Sequence, residues 1–251
     1  MKIYLGSAAW DYEREGFAQS MRLFERALDE QGIAFQEGFV VGDALVSRAR
    51  SIAASAFLRS DCDVLLTIDT DIWFRAVDAI KLAREAEEYG LIGALYLTRG
   101  LQTQPALMLP DKPVVFAPDA APVETPFIST GFTATSRTVL EALAPTLPLC
   151  HQGWTDRGED TSFWPFYMPY VIPWEGEGNM YLSEDWAFCQ RAKDQGFKVW
   201  LDPSIRLGHY GNVMLTLEDL LRSSKPSPAP LELTRHSDGS LDTHVLEGAK
   251  Q

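Results

Sequence analysis

Val64-Leu65-Leu66-Thr67-Ile68-Asp69-Thr70-Asp71 is the stretch that decides how this chain is read. Four of its first five residues are aliphatic, and two acids then follow one residue apart. A continuous apolar run of this length is the pattern of a strand buried on both faces of a parallel sheet. In open α/β sheets, ligands bind beyond the carboxyl ends of the strands. Two carboxylates at such an end suit a hard divalent cation, which can in turn hold a phosphate.

The flanking sequence supports that placement. A first strand is expected at Lys2–Ala9. A helix is expected over 16–31, where Phe17, Met21, Phe24 and Leu28 form an apolar stripe and Gly32 closes it. A second strand over 33–41 and a helix over 44–58 follow. After the decisive run come a helix at Ala76–Tyr89, stopped by Gly90, and a strand over 91–97. Strand and helix alternate through the first hundred residues, which argues for a mostly parallel sheet flanked by helices. Further on, the sequence suggests short meandering strands over 102–126, a strand over 127–132, a helix over 137–143, a helix over 184–195 and a strand over 198–201. Residues 223–230 (SSKPSPAP) read as a linker, and the polar residues after them as an extended arm or frayed tail.

Bulk properties bound the function. The chain has 251 residues, 46% of them hydrophobic, enough for a sizeable core. Lys plus Arg number 22 against 35 Asp plus Glu, a formal charge of −13 that disfavours nucleic acid and anionic membrane surfaces as partners. Cys62, Cys150 and Cys189 show no paired spacing and read as reduced thiols. No apolar run approaches the ~18 residues of a membrane span, and no signal peptide is evident. The expectation is a soluble cytoplasmic protein, its oligomeric state open.

Two further segments carry chemistry. Ser183-Glu184-Asp185 reads at its simplest as a helix N-cap with acids in the first turn. A carboxylate there that faced a cleft could also serve as general base for a hydroxyl. Leu207-Gly208-His209-Tyr210-Gly211 holds an imidazole between two glycines, and imidazole with carboxylates suits Mn²⁺ or a similar ion such as Mg²⁺.

Taken in order, Ala49-Arg50-Ser51, Ile68-Asp69-Thr70-Asp71, Gly93-Ala94-Leu95-Tyr96, Ser129-Thr130-Gly131-Phe132, Ser183-Glu184-Asp185 and Asp202-Pro203 through His209-Tyr210-Gly211 resemble a nucleotide-sugar glycosyltransferase of the GT-A fold, close to the large inverting family-2 type. The resemblance spans roughly residues 1–215. It implies a single Rossmann-like GT-A domain over 1–222, with a nucleotide-binding half (1–100) and an acceptor-binding half (101–222), followed by the linker and arm of 223–251. Asp69-Thr70-Asp71 matches the D-x-D motif. By resemblance, Asp71 and His209 bind the metal, and Asp69 shares it or lies near the ribose. Arg50 approaches the nucleotide, and Gly131 lies beneath the donor sugar. Asp185 is the base, with Glu184 beside it contacting the acceptor. The processive Q-x-x-R-W signature is absent, which points to single transfer. UDP is expected ahead of GDP as the donor base, and the acceptor is a glycan or a small molecule.

The segment 151–180 is rich in aromatics, Pro and Gly. Such residues plug cores, or they stack on sugars and exclude water as a lid. Trp154 and Trp164 are the expected acceptor contacts, with Gly176, Gly178 and Asn179 as a hinge. Two rival readings are an aspartyl-nucleophile phosphohydrolase, with Asp69 as nucleophile, and a non-catalytic carbohydrate- or nucleotide-binding module.

Overall fold

The computed structural model describes residues 1–9, 13–99, 104–151, 162–174, 178–211, 214–221, 230–238 and 240–246. In chain order the elements of the first half are β1 (Lys2–Ala9), α1 (Glu15–Gln31), β2 (Ala34–Val41), α2 (Val46–Arg59), β3 (Val64–Ile68), β4 (Ile72–Trp73), α3 (Ala76–Tyr89) and β5 (Leu91–Gly93). Then come β6 (Val114–Phe116), β7 (Val123–Glu124), β8 (Phe132–Ser136), α4 (Arg137–Leu143), β9 (Cys150–His151) and β10 (Ser162–Phe163). The last are β11 (Tyr170–Pro173), β12 (Asn179–Leu182), α5 (Glu184–Asp194), β13 (Val199–Leu201), β14 (Gly208–Tyr210), β15 (Met214–Leu215), β16 (Leu231–Arg235) and β17 (Leu241–Val245).

Seven strands build the central sheet in the order β2-β1-β3-β8-β5-β13-β7. β2, β1 and β3 are mutually parallel, and β13 is parallel to β5. Only β8 and β7 run the other way, so the expected α/β class with a mostly parallel sheet holds. The unbroken apolar run of β3 has a packing cause. Leu66 and Ile68 meet Phe17, Phe24 and Leu28 of α1 and Ile80 and Ala83 of α3 on one face. Leu65 meets Phe57, Val139, Leu140 and Phe188 from α2, α4 and α5 on the other. Full burial of each such side chain contributes roughly 1.5–3 kcal/mol.

Three expectations are corrected. The strand placed over 127–132 begins only at Phe132, and the fully buried Thr133 and Thr135 lie in it. The run Thr-Ala-Thr looks polar, yet β-branched threonines suit a central strand. Where described, the expected loop of 151–180 contributes β9 and β10, which pair with each other, and the hairpin β11–β12. Phe166 and Tyr167 in it are buried plugs. Of the two expectations for the residues after 230, an extended arm or a frayed tail, the second is corrected: the chain there forms the antiparallel pair β16–β17, with β16 also paired to β6. Leu231 and Leu233 are fully buried against Leu95, Leu97 and Leu201, which ties this segment down. Among the described residues, no helix is long and apolar enough to cross a membrane.

Beyond β13 the fully buried Asp202 accepts the Lys81 ammonium of α3 at 2.6 Å and the Ser204 N–H at 2.8 Å. Asp202 therefore anchors the chain rather than serving a ligand. Its neighbour Glu85 is pushed up to about 7, first by burial and then by the charge of Asp202, against the pull of Lys81. A carboxyl raised in the folded state stabilises it fully below the unfolded pKa of about 4.3, and that stability is lost as pH rises through the folded value. Glu85→Gln keeps the group neutral. Its melting temperature is expected to fall less than the wild type's between pH 5 and pH 8 in thermal melts. Parallel curves would assign the pH dependence to other groups.

Candidate functional site

Both halves of the site converge on the carboxyl end of β3. There the chain turns sharply, with the Ile72 N–H donating to the Asp69 carbonyl at 3.0 Å. The turn sends the two acids into different company.

Asp71 belongs to a small sheet. β4, immediately after it, pairs antiparallel with β14, setting His209 opposite Ile72. The Tyr210 N–H donates to the Asp71 carbonyl at 2.8 Å. His209 Nε2 consequently lies 3.5 Å from Asp71 Oδ1. Across the ring, His209 Nδ1 is 2.6 Å from the Leu97 carbonyl. A carbonyl can only accept, so Nδ1 carries a proton, and in neutral imidazole Nε2 then carries a lone pair. That lone pair faces a buried carboxylate oxygen that has no hydrogen-bond partner among the described residues. Two acceptors held face to face call for a cation between them, either a proton or a metal. Burial pushes the Asp71 carboxyl up, but Arg99, together with His209 when a proton sits on its Nε2, outweighs this and holds the group below its ordinary range. The Arg99 guanidinium meets the other oxygen, Asp71 Oδ2, at 2.7 Å.

Asp69 turns the other way. Both of its oxygens accept from Nη2 of Arg50, at 2.9 and 2.8 Å. Arg50 stands on α2, which packs closely on β1 because its inner face is Ala49, Ala53 and Ala54. The Arg50 side chain is 5% exposed. Its Nη1 donates to Asp185 Oδ1 at 2.5 Å and to Glu184 Oε1 at 3.1 Å. One cation thus faces three carboxylates. Burial pulls the Arg50 guanidinium down, but Asp69 and Asp185 more than reverse this and hold it firmly charged. Burial, and then the charge of Asp185, raises Glu184 above the usual carboxylate range. The Thr130 hydroxyl adds a donor to Asp185 Oδ1.

Gly131 lies between these groups. A Cβ there would fall 2.4 Å from the Tyr96 hydroxyl and 2.7 Å from Asp69 Oδ2, so only glycine fits. The Gly131 N–H donates to the Tyr96 hydroxyl at 3.1 Å, and the Gly131 carbonyl accepts from the Asp69 N–H at 2.9 Å. Glu184 and Asp185 open α5, in the first turn where a helix favours negative charge. Ser183 occupies the N-cap position, but its side chain makes no capping bond.

The expected site residues are therefore divided. Asp71 and His209 come together, as do Arg50, Asp69, Glu184 and Asp185. Asp69 is not directed at the Asp71–His209 pair, and Arg50 is committed to carboxylates. Among the described residues, no group of three or more His, Cys, Asp or Glu side chains could hold a metal. The protein would supply two ligands there, which suits an ion completed by phosphate oxygens and water. Trp164 is not brought to the carboxylates. Its N–H donates to Ser55 Oγ, and its ring lies 5.8 Å from the Arg59 guanidinium, at the far end of α2 from Arg50. Trp154 and Gly176 lie outside the described residues. Sequence reasoning missed Arg99, Thr130 and Tyr96 as site residues. Tyr96 and Thr130 lie within quoted motifs, and Arg99 follows Tyr96 by three positions, but no local pattern marks any of them as facing an acid.

No family model and no curated protein matches the chain. Solved structures do. A structure of GalNAc-T7 with UDP, GalNAc and Mn²⁺ aligns over 83% of this chain and 44% of its own, at 12% identity and a TM-score of 0.48. The Drosophila β1,4-galactosyltransferase 7 in complex with manganese, UDP-Gal and xylobiose aligns over 80% and 65%, at 14% identity and a TM-score of 0.38. A glycosyltransferase involved in glycosylating the major capsid of PBCV-1 aligns over 56% and 63%, at 10% identity and a TM-score of 0.32. The chain spans between 44% and 65% of the length of these structures.

Proposed function

We propose that this chain is a metal-dependent GT-A glycosyltransferase. In this reading it moves one sugar from a nucleotide-sugar, a UDP-sugar ahead of a GDP-sugar, to a hydroxyl of a glycan or small molecule, with inversion, in the cytoplasm. One observation carries the reading. Two acceptors, Asp71 Oδ1 and His209 Nε2, face each other 3.5 Å apart at a strand end that also carries a separate carboxylate cluster. A divalent cation held by Asp71 and His209, Mn²⁺ or Mg²⁺, would neutralise the negative charge that builds on the departing diphosphate.

The chain's own residues supply the rest. Gly131, placed beneath the donor sugar by resemblance, lets the Tyr96 hydroxyl and Asp69 pack against the backbone there. Arg50 and Thr130 fix Asp185 through Oδ1, leaving Oδ2 to accept the acceptor's proton. A base within hydrogen-bond reach of a hydroxyl contributes about 10²- to 10⁴-fold in rate. Glu184 beside it holds the acceptor. A second reading exchanges the two, because burial and the charge of Asp185 raise the Glu184 carboxyl, as suits a general base. Paired pH profiles separate these readings. Asp185→Asn is expected to lower kcat by about 10²-fold or more and to remove the acidic limb of the profile, while Glu184→Gln mainly raises acceptor KM. The opposite pattern would make Glu184 the base.

The phosphohydrolase rival needs a free Asp69 oxygen for attack on phosphorus, and Arg50 occupies both. Incubation with UDP- and GDP-sugars plus Mn²⁺ tests the main reading. Metal-dependent release of the nucleoside diphosphate, and a product of inverted anomeric configuration, are expected. Free phosphate released from phosphomonoesters would favour the hydrolase, and no turnover at all the binding module.

A further inference from the structure

We propose that Arg99 is a two-position arginine, a counter-ion to Asp71 before the donor binds and a ligand of the donor's diphosphate afterwards. The inference rests on the metal–nucleotide reading of the Asp71–His209 pair. Asp71 has two oxygens with different company. Oδ1 is buried, without a hydrogen-bond partner among the described residues, and faces His209. Oδ2 is covered by Arg99 Nη1 at 2.7 Å. A cation held at Oδ1 would withdraw electron density from the whole carboxylate and repel a guanidinium on its other oxygen. The pair would be weakened as an anionic diphosphate came to lie beside it.

Arg99 is built to move a short distance. Its side chain is 49% exposed. Among the described residues it makes one further polar contact, a long one from Nη1 to the Tyr210 carbonyl at 3.5 Å. Its Cβ, Cγ and Cδ lie over Gly211, 3.4–3.6 Å from where a Cβ would stand, so the stem rests on the end of β14 while the head is free to swing. Arg50, by contrast, is buried and committed to three carboxylates. A planar guanidinium matches phosphate oxygens in paired hydrogen bonds, which an ammonium does not.

Binding measurements without turnover test this. Mn²⁺ alone is titrated and its free fraction read by electron paramagnetic resonance. UDP is then titrated by calorimetry at saturating Mn²⁺. Arg99→Ala should bind Mn²⁺ alone about two- to fivefold more tightly, because a partly exposed ion pair no longer competes. The same variant should bind UDP with Mn²⁺ about tenfold or more weakly, the loss of a charge-assisted hydrogen bond. Arg99→Lys should recover only part of the UDP affinity. Unchanged or weaker Mn²⁺ binding in Arg99→Ala would overturn the counter-ion position, and unchanged UDP binding would overturn the diphosphate position. Asp71→Asn is the control. If it retains wild-type Mn²⁺ affinity, the metal reading itself falls, and the role of Arg99 with it.

Discussion

Asp71→Asn is expected to cut metal-dependent turnover by about 10³-fold while leaving the fold intact, the scale seen when a preorganised electrostatic group is removed. The substitution keeps shape and removes charge. The oxygen that matters, Oδ1, makes no hydrogen bond among the described residues, so folding loses little when its charge goes. Arg99 loses a partner, but its head is half exposed and water replaces the carboxylate. The backbone ties of this turn, Tyr210 N–H to the Asp71 carbonyl and Ile72 N–H to the Asp69 carbonyl, are untouched. Activity and stability should therefore separate: kcat collapses, Mn²⁺ affinity falls, and the melting temperature stays close to wild type. A variant that kept its turnover and its manganese affinity would contradict the cation between Asp71 and His209.

Arg50→Met should behave in the opposite way, with the largest stability loss of any single site change. It deletes the guanidinium that faces Asp69, Glu184 and Asp185. Removing one partner of a buried ion pair costs about 3–5 kcal/mol, because the remaining charge stays uncompensated. Here three remain. The pH dependence identifies the cause. Burial and the charge of Asp185 already raise the Glu184 carboxyl against the pull of Arg50, so without the guanidinium it rises further. The stability this group lends is then present at low pH and lost as pH rises. The melting-temperature gap to wild type should be narrower at pH 5 than at pH 8. A gap independent of pH would mean that Arg50 acts by packing alone. Methionine retains most of the stem, which keeps that comparison clean.

The two variants also mark how far local pattern carries. The helix over 16–31, the strand Val64–Ile68, the helix Ala76–Tyr89 and the stops at Gly32 and Gly90 were legible because each rests on residues a few positions apart. Gly32 takes the left-handed conformation, φ 64°, that helix termination demands. The strand at Phe132–Ser136 was set too early because two of its buried side chains are threonines, whose methyl faces pack while their hydroxyls read as polar. The pair β16–β17 was read as a tail. Its alternation of Leu231 and Leu233 and its Asp238-Gly239 pair are a hairpin signal, but a weak one over five residues.

Composition and periodicity thus determined by themselves an α/β chain, two acids at the end of a buried strand, and a later helix opening on Glu184 and Asp185. Tertiary structure decided which of those acids act together. Arg50 meets Glu184 and Asp185 across separations of 134 and 135 residues, and His209 reaches Asp71 only because β14 pairs with β4. Apolar burial and backbone conformation are set by near neighbours and leave a periodic trace. The partner of a charge is chosen by whichever distant element the fold brings within about 3 Å, and no sequence period encodes that distance.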